Sequence, residues 1–520
     1  MKNIAFLASA LILVFPAIAS AATYYVAPSG DDGNAGDEAQ PWATLQHAAD
    51  SVKPGDTVVV KAGMYQGFNI VTSGTAGAPI TFHADGVAQI VQENDQTGLD
   101  GINIEDTENG TTIAYVVVEG FTISGMMRAG IRTAVSSHIT LRNNLVDQNG
   151  VWGIFTGFAD DLLIDGNVCS HSAEQHGIYT SNSGDRPVIR RNLIWGNAGA
   201  GIHMNGDVSQ GGDGIISEAL LEQNVIFDNG TAGGSGINCD GVQNSRFQNN
   251  LIYSAHASGM SLYMGDAAEA GKNNVVVNNT IVVAADGRWA LNIQQDSTGN
   301  KVYNNILWNL HPSRGAIDIA PEALPGFVSN NNHVIDRFTT DGGDTILTLA
   351  EWQSATGQDM ASLTAAPVFL DEGNGDFHLT AQSPDIDKGT GTEAPSEDLQ
   401  GFPRPQGAGI DIGAYEYCPS GDCQSTGGTG GAGAGGTSIG GNNTGGNGTG
   451  GNGTGGNTGG ATGGGGGNGY CGPDLTTCGT DDNPGSCGCR TAGLPTEENA
   501  SLAAITLAAI ATIFARRRRS

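Results

Sequence analysis

Four side chains in the middle of the chain have the chemistry to move protons: His176, His203, Asp240 and Tyr263. A histidine serves as a general base near neutral pH, a tyrosine as an acid, and a carboxylate as either. Elimination at a uronic acid needs a base for the C5 proton and a cation to neutralise the sugar carboxylate. His203 is the candidate base, with Tyr263 or Tyr179 as the acid. Arg190, Arg191 and Arg288 are candidate carboxylate partners. His176, in Glu174-Gln-His-Gly-Ile-Tyr179, either joins the same groove or satisfies a turn backbone, and the two readings weigh equally. No lysine occurs between Lys61 and Lys272, which departs from lyases that use a lysine base.

These groups fall into register through one repeat. An Asn followed by apolar residues recurs at Asn144, Asn167, Asn192, Asn224, Asn250, Asn279 and Asn305, in steps of 23, 25, 32, 26, 29 and 26 residues. A small residue followed by an apolar one recurs in phase, at Gly130, Gly153, Gly177, Gly201, Gly236, Gly259, Ala290 and Ala316. Positions one and three past that landmark are mostly aliphatic (Ile131, Ile154, Ile178, Ile202; Met204, Cys239, Leu262, Ile293), so they face inward on short strands of period two. A helix would scatter them around its axis. The expected fold is all-β, a right-handed parallel β-helix over residues 118–320, with the asparagines stacked as an internal amide ladder. Leu45, Ala48, Ala49 and Val52 stand at helical spacing before Pro54-Gly55 and predict a short capping helix within an N-terminal segment, 22–117. Cys169 and Cys239 are expected as buried, unpaired thiols.

The outward positions then form a polar row. It combines Tyr179, Asn205, Asn238, Ser261, Arg288, Asn292 and Gln294, expected to bind substrate, with the proton-moving groups. Amide, hydroxyl and aromatic groups over about four coils, roughly 15–20 Å, match a few sugar rings. The competing reading is an ordinary solvated sheet face. Asp207, Asp213 and Asp240 are candidate ligands for a Ca²⁺ bridging an anionic sugar, against exposed turn aspartates as the commoner explanation. Asn238-Cys-Asp-Gly241 resembles one motif of polygalacturonase-type hydrolases. The paired aspartates, Gly-His-Gly and Arg-Ile-Lys elements of that family are missing here, and hydrolysis is discounted.

Composition bounds the rest. The 22 basic against 53 acidic residues give a formal charge of −31, which argues against a nucleic-acid partner. Of 82 glycines, 25 crowd into residues 425–469 as a flexible, disordered linker. Residues 1–21, with Lys2, an apolar stretch and Ala19-Ser-Ala21, read as a signal peptide. Cys418 and Cys423 are placed to close a small loop.

Three stretches resemble known families. Tyr24-Tyr-Val-Ala-Pro-Ser-Gly-Asp-Asp, Gln40-Pro-Trp-Ala-Thr-Leu-Gln and Pro54-Gly-Asp-Thr-Val-Val-Val are similar to the N-terminal module of secreted β-helix proteins, many of them polysaccharide lyases. Asp376-Phe-His-Leu, Ser383-Pro-Asp-Ile-Asp-Lys-Gly, Gly401-Phe-Pro-Arg-Pro and Asp411-Ile-Gly-Ala-Tyr-Glu416, within residues 321–424, resemble the choice-of-anchor Q region. Residues 470–520 carry Cys471, Cys478, Cys487 and Cys489, a short apolar span at 500–515 and four terminal arginines. They resemble a MYXO-CTERM sorting tail. The resemblances imply an exported protein at the cell surface, held in the bacterial envelope membrane by its tail or released by sorting machinery. The expected function is binding of an extracellular polysaccharide, with or without its cleavage by elimination. The alternative is a non-catalytic adhesin or surface structural protein; a glycoside hydrolase or uronate epimerase ranks behind a lyase.

Overall fold

The computed structural model describes residues 21–418. The signal peptide apart from its last residue, Cys423, the glycine-rich linker and the tail with its 500–515 span lie outside the described residues. Cys418 is disulfide-bonded. Among the described residues no helix is long and apolar enough to cross a membrane.

The chain winds as a right-handed parallel β-helix. Each complete coil contributes one short strand to each of three sheets. The column one past the repeat landmark pairs as expected, Ile131 on Ile154, then Ile178, Ile202, Ile237, Met260, Leu291 and Ile317. All eight are fully buried. Each such aliphatic side chain contributes about 1.5–3 kcal/mol relative to exposure, and none has that burial available within its own coil. Cys169 and Cys239 are both buried and free, in the core of different sheets.

The amide ladder stands at the turn between the second and third sheets. Asn250 shows its logic. Its Oδ1 accepts from the Asn224 backbone N–H (3.2 Å) and from Asn224 Nδ2 (2.9 Å). Its own Nδ2 donates to the Leu221 carbonyl and to Asn279 Oδ1, each at 2.9 Å. One amide therefore satisfies two backbone groups in a turn that water does not reach. Two shorter ladders reinforce other turns, Asn197 on Asn229 and Asn274 on Asn300.

Both ends are closed. Helix α1 (Leu45–Ser51) lies where the apolar spacing places it, capped by Thr44, with Leu45, Ala48 and Ala49 buried. The solenoid also runs one coil past residue 320, because 328–339 still pairs in parallel with the preceding coil. Helix α2 (Leu349–Thr356) then covers the far end. Its Trp352 stacks on Phe338 at 5.0 Å and donates to Asp359 at 2.9 Å, while Asp359 accepts from Asn332 and so ends the ladder. From there the chain packs back on the third sheet, where Phe377 and Tyr415 bury against Leu251 and Val282. Buried Arg404 pairs there with Glu416 at 2.6 Å and donates to Asn249 at 3.0 Å.

The ladder yields a direct test. Asn250→Ala strands the Asn224 N–H and the Leu221 carbonyl in the core, at about 1–3 kcal/mol each. Urea unfolding is expected to show a loss of about 3 kcal/mol; a loss below about 0.5 kcal/mol contradicts the ladder as a structural element.

Candidate functional site

The outward column of the first sheet runs Arg132, Phe155, Tyr179, His203, Asn238, Ser261, Asn292 and Asp318, in unbroken register. The next outward column places Asn205 beside Asp240 and Asp240 beside Tyr263. His203 and Asp240 therefore share one wall. Along that wall the structure separates two environments.

The first is an aromatic block. His203 stacks on Tyr179 with centroids 4.9 Å apart and planes 14° from parallel, and the His176 ring lies 4.7 Å away. His203 Nδ1 contacts Asn238 at its carbonyl (3.1 Å) and at Nδ2 (3.0 Å). Burial lowers the His203 pKa to about 4, so the ring is neutral at physiological pH. His176 Nδ1 accepts the Ala200 backbone N–H at 2.9 Å, which places its ring proton on Nε2. Burial and the neighbouring His203 hold His176 well below the ordinary histidine range. This is the turn-satisfying role, one of the two expected of His176, and the ring stands beside His203 outside the lining of the open cleft. His203, packed and paired, is likewise not placed at the open cleft as a base. Tyr179 accepts from Asn205 Nδ2 at 3.2 Å.

The second environment is an open cleft of ≈570 Å³. Its floor and walls include Asn238, Ser261, Tyr263, Asn292 and Gln294, together with Arg288, Arg314 and Asp318. The floor is pre-ordered by its own hydrogen bonds. Asn238 Nδ2 donates to Tyr263 Oη at 2.7 Å, the Ser235 and Ser261 hydroxyls bond at 2.7 Å, and Gln294 Nε2 donates to Asn292 Oδ1 at 2.8 Å. Burial, with Asp240 nearby, raises the Tyr263 pKa, keeping its hydroxyl protonated.

Several expected groups serve the scaffold instead. The Asp240 carboxylate accepts the backbone N–H groups of Gly265 and Asp266, each at 2.7 Å, and fixes the turn above it. Asp207 accepts from the Ser209 N–H and hydroxyl, and Asp213 from the Ile215 N–H. Among the described residues no group of three His, Cys, Asp or Glu side chains is arranged to hold a metal, Asp207, Asp213 and Asp240 included. Arg190 and Arg191 belong to or border the second sheet, and both pair with Asp165. Asp240 and Asp318 stand three coils apart, about 14 Å at ~4.8 Å per coil. That exceeds the ~6.5–9.5 Å of an inverting carboxylate pair.

Sequence reasoning missed Arg314 and the role of Asp318. Asp318 is 5% exposed, and its Oδ1 has no hydrogen-bond partner. Burial raises its carboxyl from the usual 3.8 to about 6, against the Gln294 and Gly342 donors that favour the anion. The available signal was its place in the outward column.

The fold and this cleft define a β-helix protein with a polar trough on its first sheet. Residues 24–173 match the family model described as Pel9A-like, right handed beta helix region, and residues 100–281 that described as right handed beta helix region. The uncharacterized protein YwoF of Bacillus subtilis (strain 168) is 24% identical over 438 residues, covering 69% of this chain and 91% of YwoF. The crystal structure of pectate lyase Pel9A aligns with a TM-score of 0.52 at 17% identity, over 77% of this chain and 97% of Pel9A. An alginate lyase from Paenibacillus sp. str. FPU-7 aligns with a TM-score of 0.42 at 20% identity, over 57% of this chain and 97% of that one. What is shared with Pel9A is the fold.

The raised Asp318 carboxyl sets a pH dependence of stability. The folded state binds this proton more tightly than the unfolded state, so the stability tied to Asp318 is highest below about 4 and falls as pH rises from about 4 to about 6. Asp318→Asn is expected to raise Tm at pH 7.5 and to leave it nearly unchanged at pH 4. Equal Tm shifts at both pH values contradict this assignment.

Proposed function

We propose that this protein binds an extracellular polysaccharide along the first sheet, with the glycan seated in the Asn238–Asp318 cleft. The observation that carries the reading is the cleft itself: an open trough whose floor of amides and hydroxyls is held in register coil by coil. The shared fold with pectate lyase Pel9A supports the same substrate class. In the cleaving version, Arg288 neutralises a uronate carboxylate, which acidifies the C5 proton; hydroxide or water in the open cleft takes that proton, the C4=C5 bond forms as the C4–O4 bond breaks, and Tyr263, kept protonated, gives its proton to the leaving O4. The signal-like first 21 residues, the choice-of-anchor Q-like region and the MYXO-CTERM-like tail support export and anchoring at the cell surface.

A second reading, a binding protein without catalysis, is favoured by the shortage of bases at the cleft. Among the described residues no lysine lines it, and Asp240 and His176 hold backbone groups.

The purified full-length chain, incubated with a panel of uronate-bearing polysaccharides with and without Ca²⁺, distinguishes the versions. Elimination is expected to release unsaturated products seen by ultraviolet absorbance, with Tyr263→Phe at least 100-fold slower and still bound to glycan. Binding without any unsaturated product selects the non-catalytic reading, and failure to bind any polysaccharide overturns both.

A further inference from the structure

The chain is strongly acidic, and its described arginines are nearly all neutralised. Eight of eleven form ion pairs: Arg128, Arg132, Arg142, Arg186, Arg190, Arg191, Arg246 and Arg404. The remaining three, Arg288, Arg314 and Arg337, follow one another at the same turn of successive coils. Arg337 is occupied, since its guanidinium donates to the carbonyls of Asn309, His311 and Pro312. Arg288 and Arg314 instead line the cleft. Arg288 is exposed, and Arg314 makes one long bond, 3.3 Å, to the Gly287 carbonyl. Two guanidiniums without carboxylate partners, on one trough of a protein with a charge of −31, form a local site for an anion.

Asp318 sits in the same trough, buried, with Oδ1 unpartnered. The groups facing it are the Gln294 side chain from the preceding coil, Arg314 from the adjoining turn, and Asp341 with the Gly342 N–H from the following loop. Asp341 is held ionised by the Thr339 hydroxyl (2.7 Å) and the Thr345 N–H (2.9 Å). Of the two carboxyls, Asp318 is therefore the one that takes up a proton. Ionised, its negative charge acts on Arg314 through space, without an ion pair, and opposes a ligand anion in the trough. Protonated, it leaves Arg314 free.

We propose that Arg288, Arg314 and Asp318 form a proton-coupled anion subsite, in which the two arginines hold an acidic group of the glycan and Asp318 takes up a proton as the subsite fills. The inference rests on the reading of the cleft as a polysaccharide site, and it narrows the substrate class to acidic glycans, carboxylated or sulfated. Coupling is reciprocal: if the anion favours protonation, lower pH favours the anion. A single coupled proton contributes at most about tenfold per pH unit, so affinity is expected to be about tenfold higher at pH 5 than at pH 7.5.

The experiment measures binding of the full-length chain to polygalacturonate, dextran sulfate and unmodified dextran at pH 5 and pH 7.5, at two salt concentrations. The expected result is tighter, salt-sensitive binding of an acidic glycan at pH 5. The polygalacturonate and dextran sulfate arms separate carboxylate from sulfate. Asp318→Asn is expected to bind at pH 7.5 as the unmodified protein does at pH 5, with the pH dependence gone. Arg314→Gln is expected to lose at least tenfold at both pH values. Equal binding of dextran and the acidic glycans, or an Asp318→Asn variant that keeps the original pH dependence, overturns the subsite while leaving the polysaccharide reading in place. No binding to acidic or neutral glycan overturns both.

Discussion

The structure depends on coil-to-coil register, and the buried asparagine ladder is the interaction that sets it. Each rung spends one side chain on two backbone groups, so slipping a coil by one residue removes several buried hydrogen bonds and turns an aliphatic column outward at once. That double penalty makes the outward columns straight. A ligand row on the first sheet is useful only because Asn238, Ser261, Asn292 and Asp318 occupy the same position of successive coils.

The same constraint shows which parts were legible beforehand. Both inward columns, the pairing of His203 with Asn238, and the buried free thiols follow from aligning one landmark, because period two and stacking leave a single consistent arrangement. Arg190 and Arg191 were expected as carboxylate partners of the site, although they precede ladder residue Asn192, and the structure puts them at the second sheet on Asp165. Helix α2 was not expected, although both halves of the capping box that starts it, Thr348 and Glu351, stand in the sequence.

What was not legible comes from the connections. Asp318 lies in a column whose terminal coils look less polar, and its significance depends on the loop carrying Asp341 and Gly342 that closes over it. Arg314 stands two residues before Ala316, in phase with Arg288 before Ala290, and was overlooked because phase alone does not tell which turn residues lack a partner. For His176 and Asp240 the partners lie in neighbouring turns: a backbone N–H a coil away for His176, and the Gly265–Asp266 turn for the Asp240 carboxylate. Periodicity locates strands; loops decide which strand residues meet solvent.

The account as a whole stands on the trough being where a glycan sits. Hydrogen–deuterium exchange of the full-length chain, with and without saturating acidic polysaccharide at pH 5, reads this out residue by residue. Slowed exchange confined to the segments around 261–264, 287–296, 312–318 and 340–345 is the predicted result. Slowed exchange on the third sheet alone, with those segments unchanged at saturation, contradicts it.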